Sequence, residues 1–258
     1  DSPKFADAPD AGGMRVTGRR RRGKYLLADL RRCEAADDRP LRPRGTATRE
    51  LVVHLGMTGR LALVDVPPPE VVDLLRNPRH LRAWWRLDDG TYLGFWDQRR
   101  FGRVAVVEPG GYEGLPTLAT LGPEPFSSGF TGASLRAGLS GRKAITTALL
   151  DQRLVAGVGN IYADEALGRA GISPTRRRLG AGRADVLCDA IVEVLEAGIA
   201  DGGTTLRDYR DAAGDQGRHQ ERLRCYGRAG LPCDRCGEAL VRKVVDARGT
   251  TWCRTCQT

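Results

Sequence analysis

The spacing of apolar positions changes character near the middle of the chain. In the first half, apolar residues come in short or alternating runs at Tyr25-Leu26-Leu27, within Glu50 to Val66, at Ala83 to Leu87, at Tyr92 to Trp96 and at Val104 to Val107. Runs of that length, bounded by turn residues, predict strands, and Asp88-Asp89-Gly90 predicts a hairpin turn between two of them. In the second half the period lengthens. Ile145, Ala148, Leu149 and Leu150 repeat at helical spacing, and after Gly157-Val158-Gly159-Asn160 so do Ile161, Ala163, Ala166, Leu167 and Ala170. A longer helix is predicted over Ala184 to Ala200, with Val186, Leu187, Ala190, Ile191, Val194 and Leu195 on its buried face. Gly202-Gly203 ends it, and Thr204-Thr205-Leu206 is read as the cap of a further short helix. The fold class is therefore α+β, with an N-terminal antiparallel β sandwich followed by a helical part.

Pro109-Gly110-Gly111 and Leu121-Gly122-Pro123-Glu124-Pro125 punctuate the chain where the period changes. The predicted division is 1–115, 116–222 and 223–258. Residues 1–18 are polar, 31–48 read as a charged loop, and 211–220 as a mobile Gly- and Asp-rich loop.

Charge narrows the partner. Lysine and arginine number 41 against 32 aspartates and glutamates, a formal +9 that favours a polyanion. Only Lys4, Lys24, Lys143 and Lys243 are lysines, so amine chemistry has few candidates. The block Arg19 to Arg22 reads as a solvated face or a phosphate contact, with a nuclear address as a third, weaker reading. No apolar run is long enough to span a bilayer and no charged-then-apolar leader opens the chain, so a cytoplasmic protein is expected.

Four of the seven cysteines carry the firmest chemical signal. Cys233 and Cys236 form one Cys-x-x-Cys pair and Cys253 and Cys256 another, with sixteen residues between the pairs. Two such knuckles supply four thiolates to one tetrahedral zinc and leave no open position, so the ion is structural. Disulfides are the alternative, disfavoured in a reducing compartment. Such binding contributes about 10–16 kcal/mol in small zinc peptides, enough to fold a segment with little core of its own. Between the knuckles, alternation over 241–252 predicts a hairpin with Arg248-Gly249 at its turn. Arg248 then projects from the tip, either merely solvated or aimed at a phosphate or base.

Two further stretches are candidates for binding. Gly157 to Asn160 lets backbone approach a ligand, with Asn160 capping the second helix at an anion-friendly N-terminus; a plain helical hairpin is the alternative. Met57, Arg99 and Phe101 each stand at a strand or turn end. Apolar wedges beside an arginine suit the filling of a gap left by an extruded base, whereas Met57 and Phe101 in the core, with Arg99 in an ion pair, is the ordinary reading.

Taken together, HLGM at 54–57, DQRRFG at 97–102, LGPEP at 121–125, LLDQRLVAGVGNIYADEAL at 149–167, GGTTLRDY at 202–209, YGR at 226–228 and the four-cysteine end resemble formamidopyrimidine-DNA glycosylases. The resemblance runs from about residue 15 to the last residue. It implies a β sandwich, a helix–two-turn–helix domain and a zinc finger, with double-stranded DNA bearing an oxidised base or abasic site held across a cleft by a monomer. The implied activity is excision of oxidised purines such as 8-oxoguanine, then strand cutting by β,δ-elimination. By that resemblance Met57, Arg99 and Phe101 match residues that fill the gap, and Asn160 and Arg248 match phosphate contacts. Lys24 matches an active-site lysine, Arg248 also matches an arginine used in the last elimination, and His80 and Arg142 match DNA-contacting positions. Family members begin Pro-Glu-Leu-Pro-Glu-Val-Glu, with the proline α-amine as nucleophile and the glutamate as general acid. Residues 1–258 contain no such segment, and a truncated sequence is expected over a loss of the chemistry. Gly217-Arg218-His219 also departs from the aromatic pair usual in the loop over the extruded base. That leaves an endonuclease VIII-like preference for oxidised pyrimidines, or a non-catalytic binder of damaged DNA, as alternatives.

Overall fold

The computed structural model describes residues 2–32, 48–71, 77–139, 141–206, 209–211 and 214–258. They group into two compact units, Asp1–Leu118 with Thr205–Gln216, and Ala119–Thr204 with Gly217–Thr258.

The first unit holds β1 (Met14–Arg22), β2 (Tyr25–Arg32), β3 (Arg49–His54), β4 (Gly59–Val64), β5 (Leu81–Arg86), β6 (Tyr92–Asp97) and β7 (Arg103–Val107). They form two antiparallel sheets ordered β1-β2-β3-β7 and β4-β6-β5. Leu30, Leu51, Val53 and Val104 of the first sheet share one core with Ala83 and Phe95 of the second, which makes the pair a sandwich. The hairpin turn expected at Asp88-Asp89-Gly90 joins β5 to β6, with the Asp89 carboxylate accepting from the Thr91 N–H at 2.9 Å.

The polar start of the chain is more structured than its composition implies. Phe5 and Ala8, on short 3-10 turns, reach the sandwich core, and Met14 begins an edge strand. That strand was not predicted because most of its side chains face solvent, so no alternation marks it. Within the arginine block, Arg20 is absorbed by an ion pair with the buried Glu50 carboxylate and by a second with Asp29 at 2.5 Å. The charged loop expected over 31–48 falls, apart from its ends, outside the described residues, as does Cys33.

The second unit carries α2 (Gly132–Gly138), α3 (Ile145–Leu150), α4 (Asn160–Ala170) and α5 (Ala181–Ala200), after a short α1 (Pro116–Ala119), and ends in β8 (Val241–Val245) and β9 (Arg248–Trp252). Ile145, Leu149, Leu167, Leu187 and Ile191 meet in its core. Gly171, left-handed at φ +66, closes α4, and the Ile172 N–H donates back to the Leu167 carbonyl at 3.0 Å. One expectation fails here. Val186 is exposed, and Cys188 lies on the buried face of α5 instead, because one residue advances a helix by 100° and carries Val186 off that face. The short helix expected after the cap Thr204-Thr205-Leu206 would begin at 207–208, which lie outside the described residues.

The expected loop at 211–220, of which 212–213 lie outside the described residues, is also corrected in part. His219 begins a 3-10 turn (His219–Arg222) and is buried, with Nδ1 2.8 Å from the Asp201 carboxylate and its ring stacked on Tyr162 at 5.6 Å. Partners eighteen and more residues away, invisible to local composition, hold it.

Candidate nucleic-acid interface

In the first unit, β3 belongs to one sheet and β4 to the other, so residues 55–58 cross between sheets, and residues 98–102 cross back between β6 and β7. The two crossovers run side by side. Gly56, at φ +65, lies so close to the second crossover that a Cβ there would sit 2.6 Å from both the Gly102 nitrogen and the Phe101 carbonyl carbon. This approach brings Met57, Arg99 and Phe101 together. Met57 is 66% exposed and Phe101 50%, so neither is core. Arg99 places its guanidinium 4.8 Å from the centre of the Phe101 ring, a cation–π contact on the surface.

Beneath them, Asp97 is fully buried. Its carboxylate accepts from the Thr58 hydroxyl at 2.5 Å and from the Gly102 N–H at 2.7 Å, while the Thr58 hydroxyl accepts from the Arg99 N–H at 3.0 Å. Neither residue was singled out from the sequence. An aspartate closing the apolar strand Tyr92 to Trp96 was the signal available, since a carboxylate there must find donors.

Lys24 sits in the two-residue turn between β1 and β2, where Arg22 pairs with Tyr25 and Gly23 supplies φ +56. His54 closes β3 with its ring 4.7 Å from that of Tyr25, and its Nδ1 accepts from the Gly56 N–H at 3.1 Å. Burial, and then the Lys24 charge, hold the imidazole below its ordinary pKa against the pull of Asp97. A neutral ring accepting at Nδ1 carries its proton on Nε2. His80 ends the 3-10 turn Pro78–His80, half-buried, ahead of β5.

In the second unit, Gln152 builds the glycine turn. Its Nε2 donates to the Leu150 and Val158 carbonyls at 3.1 and 3.0 Å, and its Oε1 accepts from the Gly157 N–H at 2.9 Å. Gly157, at φ +87, permits the bend. Asn160 does not cap α4: Gly159 holds that position and Asn160 is the first helical residue. Its Nδ2 instead donates to the Gly249 carbonyl at 2.9 Å. One turn on, Asp164 accepts from the Thr250 hydroxyl and from the Thr251 N–H at 2.9 Å, because residues four apart share a helix face. The hairpin bearing Arg248 is thereby docked on α4. Its turn is Asp246-Ala247, not Arg248-Gly249; Arg248 is the exposed first residue of β9, paired with Val245. The strands register two residues earlier than the glycine implied, since Asp246 and Ala247 both take positive φ.

Arg142 is exposed, and its carbonyl accepts from Arg177 at 2.9 Å. With Lys143, Arg177 and Lys243 it lines a basic groove of about 590 Å³. Across that groove the Thr147 hydroxyl donates to Asp246 at 2.6 Å. Lys143 and Arg153 both bond Asp151, holding its carboxyl well below the usual range, with Arg153 the stronger influence.

The Sγ atoms of Cys233, Cys236, Cys253 and Cys256 all lie within 4.8 Å of one another. Tetrahedral zinc with bonds of about 2.3 Å sets thiolates about 3.8 Å apart, so the four fit one ion. Cys225 lies in the same region of the fold. Burial, then Glu165 and Asp164, push its thiol up to about 12, and its sulfur stands outside the cluster of four. Glu165 accepts from the N–H groups of Arg224, Cys225 and Tyr226 at 2.8–2.9 Å and so anchors the entry to the finger.

Three family models match the chain: the formamidopyrimidine-DNA glycosylase N-terminal domain over residues 2–104, the H2TH domain of the same glycosylase over 121–210, and the zinc finger found in FPG and IleRS over 230–258. A formamidopyrimidine-DNA glycosylase of Deinococcus radiodurans is 42% identical over 262 residues, covering 100% of this chain and 87% of that protein. One from Moorella thermoacetica is 44% identical over 233 residues, 89% of this chain and 77% of that protein. Among solved structures, the MutM (Fpg) protein of Thermus thermophilus superposes with a TM-score of 0.78 at 43% identity, over 95% of this chain and 84% of that one. The Lactococcus lactis Fpg bound to DNA containing an abasic site gives 0.77 at 31% identity, over 95% of this chain and 83% of that one.

Proposed function

Because the chain belongs to the formamidopyrimidine-DNA glycosylase family, we propose that it serves base-excision repair as a bifunctional glycosylase and abasic-site lyase acting on oxidised purines. The observation that carries this reading is the trio Met57, Arg99 and Phe101, exposed together on two braced crossovers instead of buried. Large apolar side chains left in water cost free energy unless a partner covers them, and a gap in a base stack is such a partner.

Arg99 faces the orphaned base, while Asn160 and Arg248 contact phosphates, with His80 and Arg142 as further DNA contacts. Four thiolates hold one zinc, which supplies folding free energy to the hairpin and no chemistry. Excision begins when an amine attacks the sugar carbon as the base leaves. The resulting Schiff base acidifies the adjacent proton, and elimination cuts the strand. Lys24, at its exposed turn beside His54, serves the proton transfers, and Arg248 assists the last elimination. The domain boundaries at 115/116 and 222/223 are proposed on the sequence punctuation. No helix among the described residues is long and apolar enough to cross a membrane. Bacterial relatives support a cytoplasmic setting, and action at the nucleoid as a monomer is proposed with it.

Borohydride trapping tests the reading. A chain extended by Pro-Glu-Leu-Pro-Glu-Val-Glu is expected to form a covalent adduct with an 8-oxoguanine duplex, while residues 1–258 alone bind that duplex without trapping. Absence of any lesion preference in either protein refutes the glycosylase reading. An adduct from residues 1–258 alone reassigns the attack to another amine, with Lys24 first in line.

A further inference from the structure

We propose that Asp97 and Thr58 are positioning residues for base extrusion, joining the two sheet crossovers into one rigid wedge. The inference rests on the reading of Met57, Arg99 and Phe101 as gap-filling residues. Each of the three lies at or beside an anchored atom. Thr58 follows Met57 and donates its hydroxyl proton to Asp97; Gly102 follows Phe101 and donates its N–H to the other carboxylate oxygen; Arg99 donates its own N–H to the Thr58 hydroxyl.

The chemistry of the partners explains the residue types. Asp97 meets donors on both oxygens, which a carboxylate accepts and an amide cannot match on both sides. Thr58 acts once as donor and once as acceptor, so only a hydroxyl completes the relay. Arg82 adds a bond from Nε to the Asp97 carbonyl at 3.0 Å, fixing the backbone at the strand end. Pushing side chains into a base stack loads both crossovers, and loops tethered only at their ends yield. With one buried carboxylate shared between them, the load passes into β6 and the sandwich core.

The test uses the whole chain and a duplex with 2-aminopurine beside the lesion, whose fluorescence rises on unstacking. Thr58→Val, which keeps shape and removes both bonds of the relay, is expected to lower the extrusion signal by about five- to thirtyfold, the scale of one to two lost hydrogen bonds. Its affinity for undamaged duplex should stay near wild type while its melting temperature falls by a few degrees, since a buried Asp97 oxygen loses its donor, and Thr58→Ser should restore both extrusion and melting temperature. Asp97→Asn is the second variant and should shift extrusion in the same direction. If Thr58→Val and Asp97→Asn extrude as wild type while Met57→Ala and Phe101→Ala do not, the bracing role is refuted. If Met57→Ala and Phe101→Ala also extrude normally, the gap-filling reading itself falls.

Discussion

Ala247 shows how much a single backbone angle can decide. It and Asp246 form the turn between β8 and β9 at φ +64 and +46, the left-handed pair that a tight two-residue hairpin demands. Aspartate tolerates that region, while alanine stores strain there. Ala247→Gly is therefore expected to stabilise the zinc-bound protein by roughly 0.5–1 kcal/mol, after the greater freedom of glycine in the unfolded chain is deducted. Thermal melting of the full chain checks this, and a lowered midpoint contradicts it. Sequence placed the turn at Arg248-Gly249 because glycine is the usual marker; the strand register put it on a residue with no such mark. The same limit hid Thr58 and Asp97, which lie 39 residues apart and meet only in the fold.

Helix α4 was legible as a helix, from the glycines before it to Gly171 after it, yet its role as a dock for the finger was not. Asn160, Asp164 and Glu165 face strand β9 and the 224–226 backbone, partners about sixty to ninety residues on. Asp164 makes this docking sensitive to pH. Burial raises its carboxyl to about 6, more than the Thr250 and Thr251 bonds lower it. A carboxyl raised above its unfolded value of about 3.9 favours the fold while protonated, and that contribution is lost as pH rises from about 4 through 6. The stability difference between wild type and Asp164→Asn should therefore move against the wild type across that window and level off above it. Paired melts at matched zinc concentration read the difference directly, and a flat difference would show that Asp164 titrates as in the unfolded chain.

At the scale of the whole molecule, the +9 charge predicts binding that weakens steeply with salt. Arg248→Ala should lower the slope of log affinity against log salt by about 0.9, one phosphate, while Arg20→Ala should leave the slope unchanged because Arg20 is spent on Glu50 and Asp29. Binding isotherms at several salt concentrations separate the two, and equal slopes for Arg248→Ala and wild type would remove Arg248 from the backbone. By itself, the sequence determined the strand-rich first half, the helical second half, the zinc site and the family, because periodicity, Cys-x-x-Cys spacing and long motifs are written in neighbours a few positions apart. Only the tertiary structure decided that Met57 and Phe101 face outward, that Arg20 is absorbed internally, that His219 is anchored and that one aspartate braces two crossovers. Burial and hydrogen-bond partnership are settled by residues distant in the chain, and the alternation that predicts a strand does not say what its ends will touch.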